Sequence, residues 1–303
     1  MKYNLKFRLL ILTIGIILTS SFYAGAKTPT GCFQFASDNP KKIVNFHCEN
    51  TPEIVIPEGV EIIGELAFYY KYLTKVQLPT SLKIIEPKAF LSNRITHLTI
   101  PDAVEELGDL AFKYNQITHL ELGKGIKSIG YETFAHNYIQ SLNVPGNIKD
   151  IGGLAFFQNK TLKKLKLEEG VERIAQDAFY GNSIERLITP TSLKFIGKSA
   201  FAYNTINYVQ FNEGLEYIEE LAFGHNDISD IDLPHSLLGI GNEAFRENLV
   251  FFAMIPNGVR YIGFDIFARN PIQSVVLEQG IETEIQIDEG QNVSFPGIEV
   301  VFN

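Results

Sequence analysis

His97 and His119 stand 22 residues apart, and Glu121 follows two positions after the second of them. Imidazole and carboxylate donors so grouped are the ligands zinc takes. Parallel strands rarely bring such side chains into a closed tetrahedral shell, and no partner is evident to orient the rings, so neither a metal nor a cofactor is expected. Cys32 and Cys48 are the only cysteines. They lack C-x-x-C spacing and have only His47 nearby, so in an exported chain they read as a disulfide rather than as a thiol or metal pair. Covalent catalysis needs a nucleophile, a base and an acid to orient it, and none assembles. His136 and His225 share one recurring position and His235 follows a proline, so each reads as an exposed turn residue. G-x-S-x-G, H-E-x-x-H and phosphate-cradling glycine loops do not occur. A hydrolase is therefore the least favoured reading, and the chain is read as a non-enzyme.

The elements that position these residues follow from a repeat. An aromatic recurs at Phe68, Phe90, Phe112, Phe134, Phe156, Phe179, Phe201, Phe223, Phe245 and Phe267, always at an interval of 22 residues except for one of 23. Three positions after each Phe stands Asn93, Asn115, Asn137, Asn159, Asn182, Asn204, Asn226, Asn248 or Asn270, and only the first coil departs, with Lys71. L-x-L-P or a variant comes next, as in Leu98-Thr99-Ile100-Pro101. Its period-2 pattern predicts a short strand ended by Pro, here centred on Val55, Gln77, Thr99 and their successors. Two further apolar anchors follow, such as Val104 and Leu107, and the A-F pair is expected on a short helical turn. About five anchors worth roughly 2 kcal/mol each cannot offset the ordering of a whole coil, so no coil folds alone and stacking must supply the rest. The Phe and Asn columns are accordingly structural, with Asn bonding turn backbone between coils. The predicted architecture is an α/β right-handed solenoid of short parallel strands joined by turns or short helical turns.

Side chains that alternate with the buried L-x-L positions face solvent, which gives two columns on the strand face. One runs Lys75, His97, His119, Ser141, Lys164, Arg186, Tyr208, Asp230, Phe252, Ser274. The other runs Gln77, Thr99, Glu121, Asn143, Lys166, Ile188, Gln210, Asp232, Met254, Val276. Lys164, Lys166 and Arg186 form a basic patch, Asp230 and Asp232 an acidic one, and Phe252, Met254 and Val276 an apolar one. With Ile188 and Tyr208, these are the candidate ligand-binding residues, because exposed aromatic and Met side chains beside charge compose protein-binding surfaces.

The first 26 residues carry Lys2, Lys6 and Arg8, an apolar run from Leu9 to Leu18, and Ala24-Gly25-Ala26, which is the pattern of a secretory signal peptide. The run is too short for a spanning helix, and Pro29-Thr30-Gly31 before Cys32 lacks the apolar residue of a lipidation site, so no membrane insertion of the mature chain is expected. Formal charge is -9, from 26 Lys+Arg against 35 Asp+Glu, and becomes -12 once the three leader cations are removed. Nucleic acid is a poor partner for that balance. Residues 27–53, with the disulfide, are expected to cap the start of a 54–278 solenoid of ten coils plus a final strand. Residues 279–303 are expected to cap its end, with Glu284–Asp288 and Ile298–Phe302 as a hairpin.

L-x-L-P, I-G-x-x-A-F and a turn residue three positions later together resemble the bacterial surface-antigen leucine-rich repeats, the BspA-like class, over about residues 54–278. The chain departs from that class in carrying Asn where many members carry Cys, which changes the turn ladder but not the coil. The resemblance implies a leucine-rich-repeat solenoid that is secreted, at the cell surface or periplasmic. It also implies adhesion or protein binding toward a protein or surface glycan of a host or neighbouring cell. A structural spacer or envelope scaffold without a specific ligand is the alternative, since fold alone fixes no ligand.

Overall fold

The computed structural model describes residues 28–278 and the backbone of 299–302. The leader and the Glu284–Asp288 half of the expected hairpin lie outside the described residues. Strands of three or four residues repeat along one side: Glu53–Val55, Lys75–Gln77, His97–Thr99, His119–Glu121, Ser141–Val144, Lys164–Leu167, Arg186–Ile188, Tyr208–Gln210, Phe252–Ile255 and Ser274–Leu277. Their first three centres are Ile54, Val76 and Leu98, one residue earlier than expected, because pairing stops two residues short of the proline. The strands pair in parallel, one coil apart, as in His97 opposite His119 and Lys164 opposite Arg186. The anchors after the proline form a second side of two-residue parallel strands, from Ile62–Ile63 to Tyr261–Ile262, divided into two sheets between Glu106–Leu107 and Ser128–Ile129.

The A-F segment is not helical. Among the described residues the only helix is the 3-10 turn Thr30–Cys32, so the α/β label gives way to an almost purely β solenoid. Its physical cause is a left-handed residue every fourth position through each turn, Leu66 and Tyr70, Lys88 and Ser92, Leu110 and Tyr114, which a right-handed helix cannot pass through. The alternation sends one N–H back into its own coil, as from Ala89 to Glu86 O, and the next along the axis, as from Phe90 to Ala111 O. Each turn thus exchanges helical bonds for bonds between coils.

Inside, the Phe rings form one stack, with adjacent centroids 4.9 Å apart at Phe68–Phe90 and 5.7 Å at Phe245–Phe267. Each Asn side chain is a connector. Asn115 donates to Phe90 O and Phe112 O and accepts from Ile95 N–H, closing three backbone groups across two coils. Where Gly follows the second strand, consecutive backbones touch: a Cβ at Gly241 would lie 2.3 Å from the Glu220 nitrogen.

At the N-terminal end, Phe33–Phe35 pairs antiparallel with Lys42–Phe46, which in turn pairs in parallel with Ile62–Ile63. Cys32 and Cys48 are bonded, and Phe33 and Phe46 lie 6.4 and 5.5 Å from Phe68 at the start of the Phe stack. At the far end, Glu299–Phe302 pairs in parallel with Ser274–Leu277 as a further rung of the strand side.

Candidate binding face

The two columns predicted on the strand face are exposed from Lys75 to Met254. The last rung departs: Ser274 is half-buried, and Val276, at 8 % exposure, is held between Met254 and the added strand Glu299–Phe302 and contributes almost no surface. His97 and His119 stack face to face, with centroids 4.7 Å apart and planes within 5°, and their Nδ1 atoms sit 3.1 and 2.9 Å from the Thr96 and Thr118 hydroxyls. Parallel rings send their lone pairs side by side, whereas a zinc ion needs them to converge at about 2.0–2.1 Å. That geometry makes a ring stack, not a metal site.

Lys164, Lys166, Arg186, Ile188 and Tyr208 come together on adjacent strands, but the basic patch is largely answered from within. Lys166 pairs with Glu168 at 3.2 Å, and the Asn143 amide, followed by Lys166, holds the Glu168 carboxyl below its ordinary range. The Arg186 guanidinium lies 3.9 Å over the Tyr208 ring. Only Lys164 of the three has no charge or ring partner among the described residues.

Beyond Tyr208 the strand face breaks. The sheet that begins at His97–Thr99 ends at Tyr208–Gln210, and a new sheet starts at Phe252–Ile255. Between them Ser229–Leu233 makes no backbone hydrogen bond to either neighbour among the described residues. Phe211 borders the break. It occupies a position held by Leu, Ile or Val in most coils, and its ring meets Phe223 edge-on at 5.3 Å and reaches Phe245 in the following coil at 6.3 Å. Ile231, in the next coil, is only half-buried. An open hollow of about 610 Å³ lies at the break, with Tyr208 and Gln210 on one side, Asp230 and Asp232 along it, and Phe251 and Phe252 beyond.

Phe251 and Leu249 escaped the two-column reading, yet they are 54 % and 52 % exposed. With Phe252 and Met254 they give a single coil four large apolar side chains facing water. The signal was present one position before the first column, where Thr74, Thr96, Thr118, Gln140, Lys163, Glu185, Asn207, Ser229 and Gln273 are all polar and Phe251 alone is not.

Comparison with known proteins agrees with this architecture. The family model described as the BspA type leucine rich repeat region matches in six copies, over residues 43–163, 127–250 and 172–286. The chain belongs to the BspA-type leucine-rich repeat family. Among solved structures, a leucine rich cell surface protein from Faecalibacterium prausnitzii is 20 % identical with a TM-score of 0.51, the alignment covering 82 % of this chain and 87 % of that one. A leucine-rich repeat protein from Bacteroides ovatus is 19 % identical with a TM-score of 0.52, over 83 % of each chain. At that identity the likeness is one of fold. No curated protein sequence matches. Among the described residues of this BspA-type chain, no helix is long and apolar enough to cross a membrane.

Proposed function

We propose that this protein is exported through its N-terminal leader and binds a macromolecular partner, a protein or surface glycan of a host or neighbouring cell, through the strand face. One observation carries the reading: Phe251, Phe252, Met254 and Leu249 stand exposed together beside a break in the sheet, where single scattered apolars would be ordinary. A spacer has no use for such a patch, and neither stacking nor the second side draws on it. Family membership supports a binding role, and adhesion is the form that role takes if the partner is fixed to a cell.

The test is a pull-down of protein lacking residues 1–26 against host and envelope extracts, run beside Phe252→Ser with Met254→Ser and beside charge reversal of Lys164, Lys166 and Arg186. Wild type is expected to retain a partner that the apolar variant loses, with unfolding midpoints unchanged because exposed substitutions shift stability by about 0.5 kcal/mol or less. Equal retention by all three chains would remove the strand face as the site. Retention of nothing would favour the spacer.

A further inference from the structure

We infer that the hollow at the sheet break is a docking site for an extended polypeptide segment carrying arginine or lysine next to apolar residues. The inference rests on the strand-face reading above and narrows it to one place and one chemistry. Three independent features meet there. The first is backbone. Tyr208–Gln210 and Phe252–Ile255 are terminal strands whose edges toward the break have no ladder partner, and Ser229–Leu233 between them is equally unpaired among the described residues. Unpaired main-chain groups in an accessible cleft are what an added strand bonds to.

The second is charge. Asp230 and Asp232 sit two residues apart, roughly 6–7 Å along an extended chain, and both are exposed. Asp230 is bonded only to the Ser229 hydroxyl at 2.9 Å, and Asp232 has no partner among the described residues. Several acidic side chains of this solenoid are answered by the neighbouring coil, as Glu169 by Thr191 and Glu213 by His235, while others, such as Glu105 and Glu106, face solvent alone on the open surface among the described residues. Asp230 and Asp232 are not answered by a neighbouring coil, and they line a hollow. The third is the aromatic wall. Phe251 and Phe252 have no ring or cation against them among the described residues, and the face itself shows what a cation does beside such a ring, since Arg186 lies on Tyr208. An arginine entering the hollow would place its stem against Val209, Phe211 and Ile231, its guanidinium between the carboxylates, and its plane near Phe252. An anionic ligand would meet the carboxylates instead, and a neutral glycan would leave both charges and the open backbone unanswered.

The probe is a short fluorescein-labelled peptide of alternating arginine and valine, titrated by fluorescence polarisation against protein lacking the leader, with a glutamate–valine peptide as the counterpart. The arginine peptide is expected to bind and the glutamate peptide not. Asp230→Asn with Asp232→Asn should weaken binding about tenfold. Glu105→Gln with Glu106→Gln removes the same net charge from exposed positions on the second side and should leave binding unchanged. Neutralising two adjacent like charges does not threaten folding, and circular dichroism of each variant checks it. Equal weakening by both pairs would reduce the effect to attraction by net charge and overturn the inference, as would no binding by wild type. Displacement of the peptide by neutral oligosaccharides but not by free arginine would overturn it in favour of a glycan. If the pull-down captures a partner through Phe252 and Met254 while Asp230→Asn with Asp232→Asn captures it equally, the proposed function stands and this inference falls.

Discussion

The turn side and the strand side of this solenoid are built from the same coils and follow different rules. On the turn side the rung repeats in every coil after the first: a buried Phe, an Asn three residues later, a left-handed residue between them, and bonds running between coils. On the strand side the ladder is divided into three sheets, with breaks after Lys75–Gln77 and after Tyr208–Gln210. The lesson is where cohesion resides. Neighbouring coils remain attached through the Phe stack and the Asn connectors even where strands do not pair, and that leaves the strand face free to vary, to open and to carry exposed aromatics. Continuity on one side is what permits irregularity on the other.

The largest effect that tests this division compares two phenylalanines. Phe134 is fully buried between Phe112 at 5.7 Å and Phe156 at 5.4 Å, whereas Phe252 is 48 % exposed. Phe134→Ala should cost about 3–5 kcal/mol and Phe252→Ala about 0.5 kcal/mol or less, read from urea unfolding midpoints. Comparable losses at the two sites would mean that the strand face also holds the coils together, and the division would fail.

A finer comparison lies within the turn side. Asn115 satisfies three backbone groups, so Asn115→Ala should cost about 2–3 kcal/mol. Asn182 donates to Phe156 O and Phe179 O in the same way, but its buried Oδ1 accepts nothing. Asn182→Ala is therefore expected to cost about 1 kcal/mol less than Asn115→Ala. If the two substitutions are equal in chemical denaturation, the acceptor half of the connector contributes nothing.

Much of this was legible in the sequence, and the limits have physical reasons. The Phe and Asn columns declare themselves because one environment recurs in every coil and demands one residue type. The exposed columns follow from strand alternation, which is why Lys164, Arg186, Tyr208 and Asp232 were correctly placed on the surface. The turn was misread as helical because A-F with flanking polar residues has helical spacing, and nothing about Leu66, Lys88 or Leu110 as residue types announces a positive φ. Val276 was misplaced because its exposure depended on a rung, Glu299–Phe302, that no Phe or Asn marks. The break in the strand face falls where the alternating pattern of Ile231 and Leu233 looks intact, so the sequence carries no mark of it.

The single 23-residue interval offers the smallest and most specific test. Regular coils present a residue two positions after Asn whose N–H bonds the Oδ1 of the next Asn, as Ile184 does to Asn204 and Ile206 to Asn226. The extra residue at Lys160-Thr161 turns the equivalent N–H, on Leu162, back to Asn159 O at 2.8 Å, and Asn182 Oδ1 is left without a donor. Deleting Lys160 produces Asn-Thr-Leu, which matches the Asn204-Thr205-Ile206 pattern found two coils later. Thr161 Oγ1 already donates to Ile139 O, as Thr205 Oγ1 does to Ile184 O, so its new position needs no new partner. The deletion gives up the bond from Ser183 Oγ to Lys160 O, which is exposed and worth little, and gains a buried acceptor its partner. A net stabilisation of about 1 kcal/mol is expected, visible as a higher urea midpoint. The same deletion in an Asn182→Ala background should stabilise nothing, since the gain passes through that one oxygen. A deletion that destabilises in both backgrounds would show that the insertion relieves a strain between coils, and that the turn side is less uniform than its repeating residues imply.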